Sequence, residues 1–221
     1  MLKDFGAIFD WDGVVVDSSH IHLKSWEILA EELDLTLPND HFERGFGKRN
    51  QTIINDILGW TKNIELIEKW GLRKEEIYRE IGSSDGIPLA KGSKEFLGRL
   101  HPGPFRCAIG TSTERKNVEL AIKQHDLSDF FSASACSEDV QEGKPNPEVF
   151  LKAAAGLSIS PALCVVFEDS PHGIEAAQNA NMKSVALTTS HPANVFMHLQ
   201  PDLVVGSLAE VTPTEILELF H

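Results

Sequence analysis

The sequence predicts an α/β fold, with a Rossmann-like core of parallel strands, helices on both faces of the sheet, and a small inserted α-helical cap domain. Two observations predict this architecture. Short apolar, β-rich runs alternate with helical stretches over the later part of the chain, a pattern typical of βαβ units and a parallel sheet. A long helical segment without convincing strands interrupts this alternation after the first apolar run.

Six apolar runs fit strands. They are FGAIF before Asp10, RCAIG before Thr111, FFSASAC around Ser132, LCVVF before Glu168, SVALTT from Ser184 and DLVV at Asp202. The stretches ERKNVELAIKQH, NPEVFLKAAAGL and GIEAAQNAN have helical character and separate the later runs. Because these strands are short and almost entirely apolar, we expect helices to cover both faces of the sheet.

The interrupting segment defines the predicted domain organisation. It contains the helical runs HIHLKSWEILAEEL, NQTIINDILGW and NIELIEKWGLRKEEIYREI. Gly13 lies near its entry, and glycines and a proline mark its exit at SSDGIPLAKG. We therefore predict that residues 1–16 and 88–221 form the core and that residues 17–87 form the cap.

Composition limits the partners and the compartment. With 20 Lys and Arg residues against 33 Asp and Glu residues, the formal net charge of −13 argues against nucleic acid and anionic membranes as partners. No apolar run approaches the roughly 20 residues that span a bilayer. Cys107, Cys136 and Cys164 lack metal-ligand spacing and lie in or beside apolar runs, so we expect small buried hydrophobes. We predict a cytoplasmic monomer.

Two acidic pairs follow predicted strands. Asp10 and Asp12 are two residues apart in extended chain, so their carboxylates share a face. Glu168 and Asp169 end another apolar strand, and ligands bind beyond the carboxyl ends of parallel strands. Four carboxylates in one cleft would repel each other unless a hard cation such as Mg²⁺ held them. Alternatives are an acidic surface loop or a calcium loop for the first pair and a helix N-terminal charge effect for the second.

Candidate anion-binding groups follow other strands. Thr111, Ser112 and Thr113 precede a helical run, where hydroxyls and backbone N–H groups can cradle an anion, although a simple N-cap is an alternative. Lys144 lies in a connection before a helix and can neutralise a carboxylate and a phosphate, unless it is an ordinary solvated lysine. Together with the acidic pairs, these groups supply what aspartyl phosphotransfer needs.

The motifs also carry a resemblance to a known family. In order along the chain they are DWDGVVVDS, GTST, GKPNPEVF and VVFEDSPHGIEAA. This set closely resembles the four motifs of the haloacid dehalogenase superfamily, in the branch containing β-phosphoglucomutase and related sugar-phosphate phosphatases. The resemblance covers essentially the whole chain and implies a Rossmann-like core with a helical cap inserted after the first motif.

The resemblance assigns roles to the core residues. It implies that Asp10 is the nucleophile and Asp12 the general acid/base, that Thr111 holds the phosphoryl group, and that Lys144 bridges Asp10 and phosphate. Dehalogenases of the superfamily lack the role of the second aspartate, so the DWD sequence favours phosphorus chemistry.

The resemblance also implies a magnesium site. Asp10 and Asp169 would ligate Mg²⁺ with the backbone carbonyl of Asp12, and Glu168 would be a further ligand or lie just behind the ligands. This site would give the −13 chain a local cation for binding phosphate.

Within the cap, His22 and Trp26 share a helix face at i, i+4 spacing. The pattern D-S-x3-H-x3-W resembles the mutase branch, where this histidine borders the active site, although it is also consistent with a polar neighbour of Trp26. GFGKRNQT resembles the substrate-recognition loop of the branch, in which Gly47 would admit a sugar phosphate and Arg49 would bind its phosphate. Lys48 is an alternative for the role of Arg49, as a point charge rather than a fork.

Lys74, in KEEIY, resembles a cap-helix position of this branch, and a solvated lysine on a charged helix is an equal alternative. The resulting hypothesis is an Mg²⁺-dependent phosphatase acting on a small phosphorylated metabolite, a sugar phosphate in particular. A β-phosphoglucomutase-type mutase using the same phosphoaspartate is the alternative. Glu114, where relatives often carry a basic or amide residue, favours the phosphatase. A non-catalytic calcium-binding module is a third interpretation.

Overall fold

A six-stranded parallel sheet forms the centre of the molecule. The computed structural model describes residues 4–45, 47–101 and 103–221. The strand order is β3-β2-β1-β4-β5-β6. The strands are β1 (Phe5–Phe9), β2 (Phe105–Gly110), β3 (Phe131–Ala135), β4 (Cys164–Glu168), β5 (Lys183–Leu187) and β6 (Leu203–Val205). The predicted fold class is confirmed, and each of the six predicted strands is present.

The helices follow the predicted alternation. Those between β1 and β2 are α1 (Ser19–Leu33), α2 (His41–Gly45), α3 (Asn50–Thr52), which continues as a π-helix over Ile53–Ile57, α4 (Ile64–Asp85) and α5 (Ser93–Leu100). Those that follow β2 are α6 (Arg115–His125), α7 (Glu148–Leu157), α8 (Pro171–Asn179) and α9 (Pro213–Glu218). The described residues between positions 17 and 87 include no strand residue. Below, residues 17–87 are called the cap and the rest of the chain the core; these bounds remain a prediction.

The register of the sheet places the carboxyl ends of three strands together. In β1, Phe9 lies opposite Ile109 of β2 and Phe167 of β4. The Asp10 N–H continues this ladder by donating to the Phe167 carbonyl oxygen at 3.0 Å. Because the three strands are parallel and in step, the polar residues that follow them meet at one edge of the sheet.

Apolar side chains fill both faces of the sheet. On one face, Phe9 stacks on Phe167 with ring centroids 4.6 Å apart, and on the other, Ile8 and Val166 pack with Phe150 of α7. The three cysteines are buried and free, as predicted. A third cluster around Trp26 and Leu29 lies within the cap. Among the described residues, the helices are too short or too polar to cross a bilayer.

Candidate active site

A buried ion-pair cluster lies at the carboxyl ends of β1 and β4. Lys144 Nζ lies 2.9 Å from Asp10 Oδ1 and 2.6 Å from Glu168 Oε1. The other Glu168 oxygen accepts a hydrogen bond from the Ser170 N–H at 2.6 Å, so both oxygens of Glu168 are engaged. Burial alone would lower the pKa of Lys144, but the two carboxylates raise it above its usual value. Lys144 is therefore a charged, buried residue and not a solvated surface lysine.

Asp169 joins this cluster from the end of β4. One oxygen each of Asp10, Glu168 and Asp169 lies within 4.8 Å of the others. The Ser190 hydroxyl donates to Asp169 Oδ2, whereas Asp169 Oδ1 is buried without a hydrogen-bond partner among the described residues. Burial raises the pKa of Asp169 well above its usual value and that of Asp10 to about 7. The raised pKa values of Asp10 and Asp169 show that one lysine does not compensate three buried carboxylates, and an oxygen donor set of this kind fits a hard divalent cation.

Gly13 makes room for this arrangement. Its φ is +78°, in the left-handed region, and a Cβ at this position would lie 1.8 Å from Asp169 Oδ2. Both the backbone conformation and the close approach therefore require glycine here. Gly13, which lies near the predicted entry to the cap, thus also lets Asp169 approach the loop after β1.

Asp12 lies beside Asp10 but has a different environment. Its carboxylate accepts hydrogen bonds from the hydroxyls of Ser18 and Thr113, and His22 Nε2 lies 3.1 Å from Oδ1. Burial alone would raise the pKa of Asp12, but the interaction with His22 and the two hydroxyl bonds hold it well below its usual value. Two neighbouring carboxylates thus have oppositely shifted pKa values, which is typical of groups with separate chemical roles.

The run Thr111 to Thr113 forms a turn after β2 and lines the same cavity. The Thr113 N–H donates to Thr111 Oγ1 at 3.1 Å, and Thr113 also binds Asp12 as described. The N-cap of α6 is Glu114, whose side chain makes no capping bond. The simple N-cap alternative for this run is therefore wrong, and the turn is available to hold an anion.

A buried chain of polar groups leads from Asp12 into the cap. Lys74 Nζ lies 2.6 Å from His22 Nδ1 and 2.8 Å from Glu75 Oε1. The Lys74 side chain is 2% exposed, and its ammonium lies 5.5 Å from the ring centroid of Trp26. The solvated-lysine alternative is therefore wrong. Since Lys74 is ion-paired with Glu75, its charge is already balanced within the cap.

Glu75 also connects the cap to the core. Its carboxylate accepts hydrogen bonds from Asn50 at 2.8 Å and from Asn117 of α6 at 2.5 Å. The side-chain oxygen of Asn117, Oδ1, accepts a hydrogen bond from Arg79 Nη1 at 2.9 Å. Burial alone would raise the pKa of Glu75, but Lys74 and these hydrogen bonds hold it below its usual value.

Arg49 forms a second connection. Its guanidinium donates to the carbonyl oxygens of Gln141 at 2.9 Å and Val140 at 2.8 Å, in the loop between β3 and α7. Lys48 Nζ lies 3.4 Å from His172 Nε2. Gly47 adopts a φ of +73° and lines the cavity together with both cations. The residue that we expected to bind a substrate phosphate thus contacts core backbone in this structure.

A cavity of about 400 Å³ lies between cap and core. The structure brings the predicted residues together around it, with Lys144 and the Glu168–Asp169 pair just behind Asp10. Those that line it are Asp10, Asp12, His22, Trp26, Gly47, Arg49, Lys74, Thr111, Ser112 and Thr113. A cavity of this size accommodates a small phosphorylated metabolite.

Several residues of the site were missed by sequence reasoning. Ser190 binds Asp169 from 21 positions away, and Glu75 and Asn117 form one of the contacts between cap and core. No local pattern distinguishes them from other polar residues. Ser18 lies six residues after Asp12, and its hydroxyl donates to the Asp12 carboxylate.

Comparison with known proteins assigns the family. The sequence pattern of the family described as "Haloacid dehalogenase-like hydrolase" matches residues 7–187. The chain belongs to the haloacid dehalogenase-like hydrolases. The predicted resemblance is thereby confirmed, and the motifs after β1, β2 and β4 lie at the positions described above.

Two relatives of this haloacid dehalogenase-like chain are named as a phosphoglucomutase and a phosphatase. It is 30% identical over 221 residues to the beta-phosphoglucomutase of Bacillus subtilis, covering 97% of this chain and 93% of that protein. It is 34% identical over 217 residues to the chloroplastic 5-amino-6-(5-phospho-D-ribitylamino)uracil phosphatase of Arabidopsis thaliana, covering 97% of this chain and 57% of the length of that relative. The chain is therefore an enzyme of the phosphatase and phosphotransferase type, as predicted.

The fold agrees with solved members of the same haloacid dehalogenase-like group. The crystal structure of a HAD hydrolase, family IA, variant 3, from Entamoeba histolytica has a TM-score of 0.86 to this chain. The two are 25% identical, and the similarity covers 98% of this chain and 99% of that one.

Proposed function

We propose that this protein is an Mg²⁺-dependent phosphatase that releases inorganic phosphate from a small sugar or polyol phosphate through a phosphoaspartate on Asp10. One observation carries the proposal: Asp10 and Asp12 line one cavity, Asp10 paired with Lys144 and Asp12 hydrogen-bonded to His22. The named substrates of the two relatives, a phosphoglucose and a phosphoribityl compound, support the substrate class.

The chemistry has two steps. An Asp10 carboxylate oxygen attacks phosphorus, and the P–O bond to the leaving alcohol breaks. Asp12, a carboxylate in the free protein because its pKa is low, takes up the phosphate proton of the monoanionic substrate and passes it to the leaving oxygen. A water then attacks phosphorus of the acyl phosphate and gives its proton to the Asp12 carboxylate, releasing phosphate and restoring Asp10. Thr111, Thr113 and Lys144 hold the phosphoryl oxygens during both steps.

Asp10, Asp169 and the Asp12 carbonyl would hold Mg²⁺, and the unpartnered Asp169 Oδ1 supports this assignment. When bound, Mg²⁺ supplies electrostatic stabilisation of the transferring phosphoryl group. Glu168 is already engaged by Lys144 and by the Ser170 N–H, so we assign it to positioning Lys144 rather than to the metal.

The cap residues bind and enclose the leaving group. We assign Trp26 and Gly47 to the cavity wall, His22 to orienting Asp12, and Lys74 to holding His22. Arg49 has hydrogen-bond partners in the core loop, and its role in this proposal is to hold cap and core together around the substrate.

A phosphosugar mutase is the second candidate. The observation that favours it is that Asp10 is buried while Glu75 and Arg49 join the cap to the core, since a mutase must keep water from the phosphoaspartate. In that case a second hydroxyl of the sugar, and not water, accepts the phosphoryl group.

The test measures inorganic phosphate released from a panel of sugar, polyol and nucleoside monophosphates with Mg²⁺. Asp10→Asn should abolish release while the fold is retained, and Asp4→Asn, an exposed aspartate, should leave it unchanged. Release that persists in Asp10→Asn would contradict the mechanism. Incubation with β-glucose 1-phosphate and a trace of glucose bisphosphate distinguishes the candidates, because a mutase yields glucose 6-phosphate without net phosphate release.

A further inference from the structure

The cavity has room beyond the phosphoryl group, and the residues there define the leaving group. Around Asp10 and Asp12 the walls are set by the phosphotransfer groups. The cavity is also lined by His41 and Phe42 of α2, by Glu68 and Leu72 of α4, and by Glu114 and Glu138 of the core. These wall residues, and not the phosphotransfer groups, determine which leaving group the cavity can bind.

The charges that line the cavity beyond the phosphotransfer groups do not suit a second anion. The carboxylates are Glu68, Glu75, Glu114 and Glu138, and the cations are Lys48, Arg49 and Lys74. Lys74 is paired with Glu75 at 2.8 Å, and both terminal nitrogens of Arg49 are bound to backbone carbonyls. A second phosphate would therefore have to compete with backbone carbonyls for Arg49 and would lie among carboxylates of the cavity wall. Like charges brought together in an enclosed site repel strongly.

Glu114 is central to this effect. It lies directly after the phosphate-binding turn, and its side chain is 22% exposed. Arg79 approaches one of its oxygens at 3.2 Å, and burial together with Glu75 raises the pKa of its carboxyl. Because Arg79 contacts Oε2, the other oxygen, Oε1, can accept a hydrogen bond from a hydroxyl or amino group.

His41 provides an independent observation. His41 is 6% exposed and lines the cavity. Its Nδ1 lies 2.7 Å from the Pro38 carbonyl oxygen, and since a carbonyl only accepts, Nδ1 carries the ring proton. In the neutral ring Nε2 is then an acceptor, and this buried nitrogen has no hydrogen-bond partner among the described residues. A buried acceptor without a partner is unfavourable, and a donor on the substrate would satisfy it.

We propose that the substrate carries a single phosphate, and that its leaving group is uncharged or cationic and donates hydroxyl or amino hydrogens to Glu114 and His41. This inference rests on the proposed phosphatase function. It also has a consequence for the mutase candidate, since a mutase of this type must bind a sugar bisphosphate during its cycle, which these walls disfavour.

The test compares kcat/KM for fructose 6-phosphate and fructose 1,6-bisphosphate. The monophosphate should be preferred by about tenfold or more, and Glu114→Lys should reduce that preference by about tenfold. Glu119→Lys, an exposed position on the same helix, is the matched control and should leave the preference unchanged. Equal turnover of both compounds by the unaltered enzyme, or an unchanged preference in Glu114→Lys, would overturn the inference.

A second variant tests His41. His41→Phe should lower kcat/KM for fructose 6-phosphate by about tenfold, and leave p-nitrophenyl phosphate, whose leaving group has no such donors, unchanged. Equal losses of kcat/KM with both substrates would count against a recognition role for His41. If His41→Phe fails to fold, the comparison of monophosphate and bisphosphate still tests the inference, because it needs only the unaltered enzyme. If no phosphate ester is hydrolysed in an Asp10-dependent manner, the proposed function itself fails, which is a different result from indiscriminate hydrolysis of mono- and bisphosphates.

Discussion

Lys74 fixes the orientation of the His22 proton. The Lys74 ammonium can only donate, so His22 Nδ1, 2.6 Å away, must accept, and the ring proton lies on Nε2, which faces Asp12 at 3.1 Å. A cap residue thus determines which hydrogen bond the proposed acid/base receives. Because the acid/base lies in the core and Lys74 in the cap, the arrangement depends on the cap being in contact with the core.

Removing His22 should reduce turnover without removing the nucleophile. His22→Ala is expected to lower kcat about 10²-fold, because Asp12 loses the group that orients it. His22→Gln retains an N–H donor and should lose less. His20→Ala, an exposed histidine on the same helix, is the control. Equal activity of the His20 and His22 variants would contradict the proposed role.

The buried pair Lys74–Glu75 should contribute to stability in a pH-dependent way. Glu75→Gln leaves a buried lysine without its partner and is expected to cost about 3 kcal/mol of unfolding free energy at neutral pH. Glu76→Gln, the exposed neighbour paired with Arg73, should cost less than about 1 kcal/mol. Thermal unfolding of both variants measures the difference.

The sign of the pH effect follows from the lowered pKa of Glu75. The unfolded chain binds the proton near pH 4.5 and the folded chain only at lower pH. The contribution of Glu75 to stability is therefore complete above pH 4.5 and is lost as the pH falls through the lower folded pKa. The loss of unfolding free energy between pH 5 and pH 3 should be smaller in Glu75→Gln than in the unaltered protein, and parallel curves would contradict this role.

Mg²⁺ should stabilise the protein through Asp169. At 100 times its Kd, a bound ion adds about 2.7 kcal/mol, which should raise Tm by roughly 5–10 °C for a chain of this length. Asp169→Asn is expected to remove this shift, and to raise Tm without metal because it relieves carboxylate repulsion. Asp129→Asn, an exposed aspartate, should behave like the unaltered protein. An undiminished Mg²⁺ shift in Asp169→Asn would exclude Asp169 as a ligand.

The Arg49 contact should control cap closure. Arg49→Ala removes charge-assisted hydrogen bonds worth about 2 kcal/mol, so kcat/KM should fall roughly 30-fold. Amide exchange in the loop at 137–141 should increase at the same time. Arg44→Ala, at the end of α2 and paired with Asp40 at the surface, is the control.

Arg49→Lys separates the two roles of this residue. A lysine keeps the charge but cannot bind two carbonyls as a planar fork. If Arg49 holds the cap to the core, Arg49→Lys should show nearly the same increase in amide exchange as Arg49→Ala. Normal exchange combined with a raised KM would instead indicate direct binding of the substrate anion.

The sequence by itself determined the sheet, its strands and the position of the phosphotransfer groups. Apolar runs of strand length alternate with helical runs, and such units build a parallel sheet whose strand ends lie at one edge. Asp10, Thr111 and Glu168 each follow such a run, so their convergence follows from local pattern and general rules of topology. The resemblance of the motifs then sufficed to predict the family.

Tertiary structure alone decided how the cap meets the core. The contacts of Arg49 with the carbonyls of residues 140 and 141, and of Glu75 with Asn117, join residues tens of positions apart. The burial of Lys74 and the unpartnered nitrogen of His41 likewise depend on packing between helices. Such contacts are set by side-chain conformation and by the docking of cap on core, and neither leaves a periodic signal in the sequence because each pair occurs once.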